Sequence, residues 1–277
     1  MSDLQDIHFI DDNFQSQHAA KCDLLIRISG DRFSYAVVDQ IQDQVKMVSS
    51  SSLDGNGDDG IKKALENTSF NYNFRKVKVS VETSSFTFIP AEVYQEEMLE
   101  AYGAFNMQGN AGLHANHIWG AGIRNILSVE KGLEESVKQK FGETLFVSQA
   151  EPFIETALKY YFKPIAQQVF INVSGQAFEL LVTEGKKVKF YNLFQNTTAD
   201  EFNYFLLFAI NQLELASKSL LLILSGDIRQ GDERYNRVQK YFDNISFADS
   251  SKLLRLPEIA RENSHRFFSL LSLNLCA

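Results

Sequence analysis

The chain has 277 residues, 44% hydrophobic and 22% charged, enough globular sequence to bury its own core without metal or disulfide staples. A formal net charge of −8, with no Lys/Arg cluster interleaved with exposed aromatics, sets nucleic acid aside as a partner, because most of the surface repels a phosphate backbone. No run approaches the roughly 20 apolar residues of a membrane-spanning helix, so no membrane insertion is expected. The polar start Met1–Phe14 does not read as a secretory signal, and Cys22 and Cys276 suit buried thiols in a reducing cytoplasm.

In chain order, Leu24–Ile28 and the alternating Phe33, Tyr35 and Val37 predict a hairpin about Ser29-Gly30-Asp31, with Val45–Val48 as a third strand. Ser49–Ser52 and Asp54–Gly60 read as loop and Ile61–Glu66 as a short helix. Val77, Val79 and Val81 alternate with polar residues, which marks a half-buried strand over Lys76–Val81; Phe86–Ile89 is another. Pro90 suits the first turn of a helix over Ala91–Ala104, where an amide lacks a partner in any residue. Asn106–Gly122 is rich in small and polar residues, reads as a loop, and carries Trp119, the sole tryptophan. A strand over Ile123–Val129, a helix with Leu133, Val137 and Phe141 on one face, and a strand over Leu145–Val147 follow. The helix from Pro152 to about Phe162 breaks at Lys163-Pro164, which sets the expected boundary between lobes 1–163 and 164–277.

The order then restarts. Val169–Val173, a turn at Ser174-Gly175-Gln176, Phe178–Thr183 and Val188–Leu193 predict three strands, and Lys186, Lys187 and Lys189 fall at the second turn. Thr198 and Glu201 form a capping box opening a helix to about Ala216. Leu220–Leu224 is a buried strand closed by Ser225-Gly226-Asp227. Tyr235, Val238 and Phe242 mark an amphipathic helix, and a last helix after Pro257 carries Phe267, Phe268 and Leu271.

An offset of 145 residues superposes Leu24–Asp39 on Val169–Glu184, pairing Ile26 with Ile171, Ser29 with Ser174, Gly30 with Gly175, Phe33 with Phe178 and Val37 with Val182. With the shared order of elements, this points to an internal duplication. On these hairpins the chain resembles the actin-like ATPase superfamily. On Leu24–Val37, Phe86-Thr87-Phe88-Ile89-Pro90, Phe146-Val147-Ser148 and the hairpin at Val169 it resembles, more closely, a family of bacterial cytoplasmic proteins of unknown function with that fold. The resemblance implies an α/β, duplicated actin-like (ribonuclease H-like) fold: two lobes with mixed sheets flanked by helices.

It also implies a place for ATP and magnesium, held by the glycine turns and by an aspartate two residues before each hairpin glycine. Those places hold Ile28 and Val173, aliphatic side chains that cannot bind magnesium. The expectation is therefore no catalytic residue, no metal and no required cofactor. Should ATP bind, Ser29, Gly30, Asp31, Ser174, Gly175, Gln176, Ser225 and Gly226 are the residues implied to hold it. The reading is a non-catalytic protein acting through protein–protein contacts, with Trp119 as a candidate anchor; the alternative is an ATP-binding switch with weak or no hydrolysis.

Other motifs fail on their chemistry. Gly55-Asn56-Gly57-Asp58-Asp59-Gly60 fits a dinucleotide pattern, but its aspartates repel pyrophosphate. As a calcium loop the stretch has Asp59 in place of the glycine and Leu65 in place of the closing carboxylate. His114 and His117 lack further ligands and read as ordinary loop histidines.

Overall fold

A computed structural model describes residues 6–30, 32–53, 58–104, 111–164 and 166–277. Asp31 and most of the Asp54–Gly60 stretch lie outside the described residues.

The first half runs β1 (Ile7–Ile10), β2 (Cys22–Ser29), β3 (Arg32–Asp39), β4 (Gln44–Ser52), α1 (Asp58–Leu65), β5 (Lys76–Val81), β6 (Phe86–Pro90), α2 (Leu99–Ala104), β7 (Ala111–Ile118), β8 (Ile123–Glu130), α3 (Lys131–Phe141), β9 (Leu145–Ser148) and α4 (Ala150–Tyr160). The second runs β10 (Gln167–Ser174), β11 (Ala177–Glu184), β12 (Lys187–Gln195), α5 (Ala199–Gln212), β13 (Leu221–Gly226), α6 (Glu233–Val238), β14 (Asn244–Phe247), α7 (Glu258–Arg261) and α8 (Phe268–Ser272).

Each half builds the same mixed sheet. The first has the order β1-β4-β3-β2-β5-β9 and the second β12-β11-β10-β13-β14. In each, two antiparallel hairpin pairings are followed by two parallel ones. The duplication reaches irregular detail: the register slips between Val37 and Val38 in one sheet and between Val182 and Thr183 in the other, positions related by the same offset of 145. The first half alone inserts a three-stranded sheet, β6-β8-β7, between β5 and α3, the helix that α6 matches in the second.

Strand alternation divides the apolar side chains between two faces. Leu24, Ile26 and Ile28 enter one core with Ile61, Leu133 and Val137 from α1 and α3. Val169, Ile171 and Val173 enter another with Phe202, Leu206 and Val238 from α5 and α6. The opposite faces exchange helices. Phe153, Ile154 and Ala157 of α4 pack on Phe170, Leu181 and Ile223 of the second sheet. Leu270 and Leu271 of α8 pack on Leu25, Ala36, Val38 and Val147 of the first. Lys78 on β5 donates to the carbonyls of Asn274 and Cys276, fixing the C-terminal segment. Both cysteines are buried free thiols.

Several expectations need correction. Ser49–Ser52 continues β4, because those serines pair with β3 and β1, and Ser34 Oγ and Arg32 Nη2 both donate to Ser50 Oγ. The helix over Ala91–Ala104 is reduced to α2 after a turn and a short 3-10 segment, since Pro90 still pairs with Ile123 and the Ala91 amide donates to the Gly122 carbonyl. Of the Asn106–Gly122 stretch, residues 106–110 lie outside the described residues, Ala111–Ile118 form strand β7, paired with β8 along its length, and Trp119–Ala121 form a 3-10 turn, so His114 and His117 are strand residues. The α5 helix stops at Gln212, short of Ala216, with Glu214 at positive φ just beyond. Its capping is shared between two residues: Thr198 Oγ1 accepts from the Glu201 amide, and the Glu201 carboxylate accepts chiefly from Thr197, amide and hydroxyl, with a lesser contribution from the Thr198 amide. The last predicted helix is broken into α7, a 3-10 turn over Ser264–Phe267, and α8.

Candidate functional site at the junction of the lobes

The two predicted hairpin turns are two-residue loops, with Ser29 opposite Arg32 and Ser174 opposite Ala177. Gly30 and Gly175 adopt φ of 50° and 52°, which L side chains avoid, so glycine is required there for the turn alone. Gly226, at φ 79°, is required for close approach: a Cβ there would collide with the Val173 carbonyl oxygen, and the Asp227 amide donates to that oxygen at 2.8 Å. That closeness serves the chain's own β10.

The turns are also braced from within. Arg27 Nη1 donates to Ser29 Oγ at 2.9 Å. Arg234 Nη2 donates to the Gly175 carbonyl at 2.9 Å and to Asn196 Oδ1 at 3.0 Å. Ser225 Oγ donates to Asn172 Oδ1 at 3.0 Å, and His265 Nε2 meets the Ile228 carbonyl at 2.9 Å. Gln176 instead lies at the mouth of an open groove of about 550 Å³, lined also by Asn196, Tyr204 and Phe205. The structure thus brings Ser174, Gly175, Ser225 and Gly226 together on adjoining strands, places Ser29 and Gly30 on the other lobe, and directs Gln176 elsewhere.

Ile28 and Val173 do not meet. Each is turned into its own lobe's core, and the side chains on the junction side are their neighbours Arg27, Ser29, Asn172 and Ser174. Arg27 and Asn172 are equivalent in the repeat, 145 residues apart. Each seeds part of a buried polar network. Arg27 Nη2 pairs with Glu82 at 3.2 Å, their side chains 12% and 7% exposed. Asn172 Nδ2 donates to Glu179 Oε2 at 2.6 Å, and Tyr191 donates its hydroxyl to Glu179 Oε1 at 2.8 Å. Gln149 Nε2, at the start of α4, donates to the Tyr191 hydroxyl at 3.3 Å and to the Thr83 carbonyl at 3.1 Å, while Gln149 Oε1 accepts from the Thr83 amide. Tyr191 of the second lobe also packs its ring against Phe86 and Phe88 of the first, at centroid distances of 5.8 and 5.7 Å. The network therefore crosses the junction as a latch.

Burial pushes the Glu179 carboxyl up to about 7, against the pull of the Arg27 charge and the hydrogen bonds from Tyr191 and Asn172. The Tyr191 phenol is driven well above its ordinary range, first by burial and then by the Glu179 carboxylate. A second buried carboxyl, Glu151 on α4, is likewise pushed up to about 7 by burial; its Oε1 accepts from Asn125, Asn116 and the Ser148 amide, tying the three-stranded sheet to α4. Among the described residues, no group of three or more His, Cys, Asp or Glu side chains is placed to hold a metal ion.

Arg27, Glu82, Gln149, Glu179 and Tyr191 were not singled out by the sequence reasoning. The available signal was a charged residue inside an otherwise apolar central strand, Arg27 between Ile26 and Ile28 and Glu179 between Phe178 and Leu180.

Residues 11–245 match the model of a family described as "Protein of unknown function (DUF3822)". Among solved structures, a Bacteroides thetaiotaomicron protein with an actin-like ATPase fold and unknown function superposes with a TM-score of 0.78 at 21% identity, covering 94% of this chain and 98% of that one. A PilM–PilN type IV pilus biogenesis complex contains a chain that superposes with a TM-score of 0.62 at 11% identity, covering 91% of this chain and 97% of that one. No protein of curated function matches the sequence. The fold is therefore actin-like, α/β with two lobes. Among the described residues no helix is long and apolar enough to cross a membrane.

Proposed function

We propose, from the premise that the chain belongs to the DUF3822 family of proteins of unknown function, that it is an actin-like-fold protein that does not hydrolyse nucleotide and acts by binding other proteins. The observation carrying this reading is the latch: Gln149, Phe86 and Phe88 of the first lobe hold Tyr191 of the second, which in turn holds the buried Glu179 with Asn172. Opening the lobes around a ligand breaks the Gln149–Tyr191 hydrogen bond, unpacks the Tyr191 ring from Phe86 and Phe88 and draws the Arg27 charge away from the buried Glu179 carboxyl, each at a cost in free energy. Magnesium has no carboxylate waiting at Ile28 or Val173, since both side chains face inward. The PilM–PilN neighbour supplies a protein of this fold that works in a complex with another protein.

One observation favours the alternative of an ATP-binding switch: a Cβ at Gly30 would meet nothing within 4 Å, so space is open beside the first turn. Thermal unfolding with and without millimolar Mg-ATP separates the two. The proposal expects coincident midpoints and no phosphate release. A midpoint raised by several degrees, as ligand linkage demands of a binder, would establish the switch.

A further inference from the structure

Among the described residues, one face of the three-stranded sheet is covered by α2 and by the segment between β6 and α2. His117 pairs with Arg124 across β7 and β8. The Trp119 ring stacks on His117 at 3.7 Å between centroids and is left 69% exposed. Arg124 lies over the Tyr94 ring at 5.1 Å, and Tyr94 packs on Tyr102 at 5.7 Å. The Tyr102 hydroxyl reaches the Val93 carbonyl, and Val93 and Met98 stand 57% and 44% exposed on the same segment. A single exposed apolar side chain on a surface is ordinary. Here Trp119 and Val93 are linked through His117, Arg124, Tyr94 and Tyr102, and Met98 stands exposed on the same segment, so several apolar side chains are left in water in one region.

That face is rimmed by carboxylates. Residues 91–104 contain Glu92, Glu96, Glu97 and Glu100 and no Lys or Arg, and all four are exposed. Glu155 lies beneath Trp119, accepting from the Gly120 amide at 3.2 Å. Of the cations nearby, Arg124 is engaged with the Tyr94 ring, and Lys159 lies over the Tyr160 ring and acts on Glu155. The exposed apolar groups stand on the turn between β7 and β8 and on the segment after β6, not on an open strand edge. The matching ligand is thus a helix laid on the face rather than an added strand.

Resting on the reading of the chain as an interaction protein, we infer that this ridge docks a basic amphipathic helix of a partner protein, with Trp119, Val93 and Met98 taking its apolar stripe and Glu92, Glu96, Glu97 and Glu100 its lysines or arginines. Aromatic anchors supply the affinity and the acidic rim supplies steering and selection against acidic partners.

Trp119, the sole tryptophan, reports its own docking. The full chain is titrated with a synthetic Leu/Lys peptide of about five helical turns and with the Leu/Glu peptide of the same pattern. A saturable blue shift of Trp119 emission is expected with the first peptide and none with the second. Affinity is expected to fall about tenfold or more in the E96K/E97K/E100K variant, whose changes are all on exposed side chains. A labelled-peptide anisotropy titration of Trp119→Ala gives the anchor's share without relying on its fluorescence. No saturable change, or equal affinity in the triple-lysine variant, overturns the inference. Because the Mg-ATP melt does not touch this face, a failed peptide titration with a silent melt removes the ridge alone, whereas a positive melt removes the broader reading.

Discussion

Burial governs the protonation of Glu179 more than its neighbours do, and that gives stability a pH dependence of definite sign. A carboxyl raised to about 7 in the folded chain holds its proton more tightly there than in the unfolded chain. Its contribution is complete below the unfolded value near 4.5 and is lost as pH rises through about 7. Glu151 acts in the same window and the same direction. Each shift corresponds to at most about 3–4 kcal/mol, so urea midpoints should fall between pH 5 and pH 8. In Glu179→Gln the fall should be smaller, since the amide keeps the shape and loses the titration; identical slopes in wild type and variant would show that Glu179 does not titrate there. Tyr191→Phe removes a donor from Glu179 and should cost about 1–3 kcal/mol. A double-mutant cycle with Glu179→Gln should return a coupling near that size, and additive effects would mean the hydroxyl and the carboxyl act separately. At this scale the sequence was misleading in one respect. Counting back two residues from each glycine leads to Ile28 and Val173, whereas strand alternation turns the residues one position earlier, Arg27 and Asn172, toward the other lobe. Apolar patterning marks a strand, but which face meets the partner lobe depends on packing that no local window contains.

The elements that were legible are those with a clean period. The paired hairpins and α3, with Leu133 and Val137 facing inward, follow their patterns closely; β5 is the expected strand, but it is buried on both faces rather than one, Lys78 and Ser80 included. Strand β7 does not, because nearly all its side chains are half-buried and it shows no alternation. The segment after Pro90 has helical composition, yet pairing with β8 and the bond from Ala91 to Gly122 hold it out of the helix until Leu99. Tertiary pairing overrides propensity there. The C-terminal segment shows the same logic in reverse: α8 is five residues long, far too short to persist alone, and is held by the first sheet and by Lys78. Desolvation lowers the Lys78 pKa, while its ammonium satisfies two carbonyls at the chain's end. Lys78→Ala should therefore cost about 2–3 kcal/mol and raise hydrogen exchange across residues 268–277 first. Unchanged protection of that segment would show that apolar packing alone holds it.

At the scale of the molecule, the two lobes are duplicates that have exchanged covers, α4 lying on the second sheet and α8 on the first. Chains cut at the predicted boundary, 1–163 and 164–277, each expose the sheet face that the other's helix protects. Neither should unfold cooperatively alone, and mixing them should restore a single transition; independent cooperative folding of either piece would contradict the exchange. The latch at Tyr191, Glu179 and Gln149 adds a polar lock to that apolar one. The fold is shared with proteins whose architecture is named for an ATPase, but here the junction is closed by the chain's own side chains. Spin labels on exposed sites of the two lobes, with the inter-lobe distance distribution measured by pulsed electron resonance, test this most directly. The account predicts one narrow distribution, unchanged by millimolar Mg-ATP and broadened in Tyr191→Phe. A second distance in the wild-type protein, or a shift of the whole distribution on adding Mg-ATP, would contradict it.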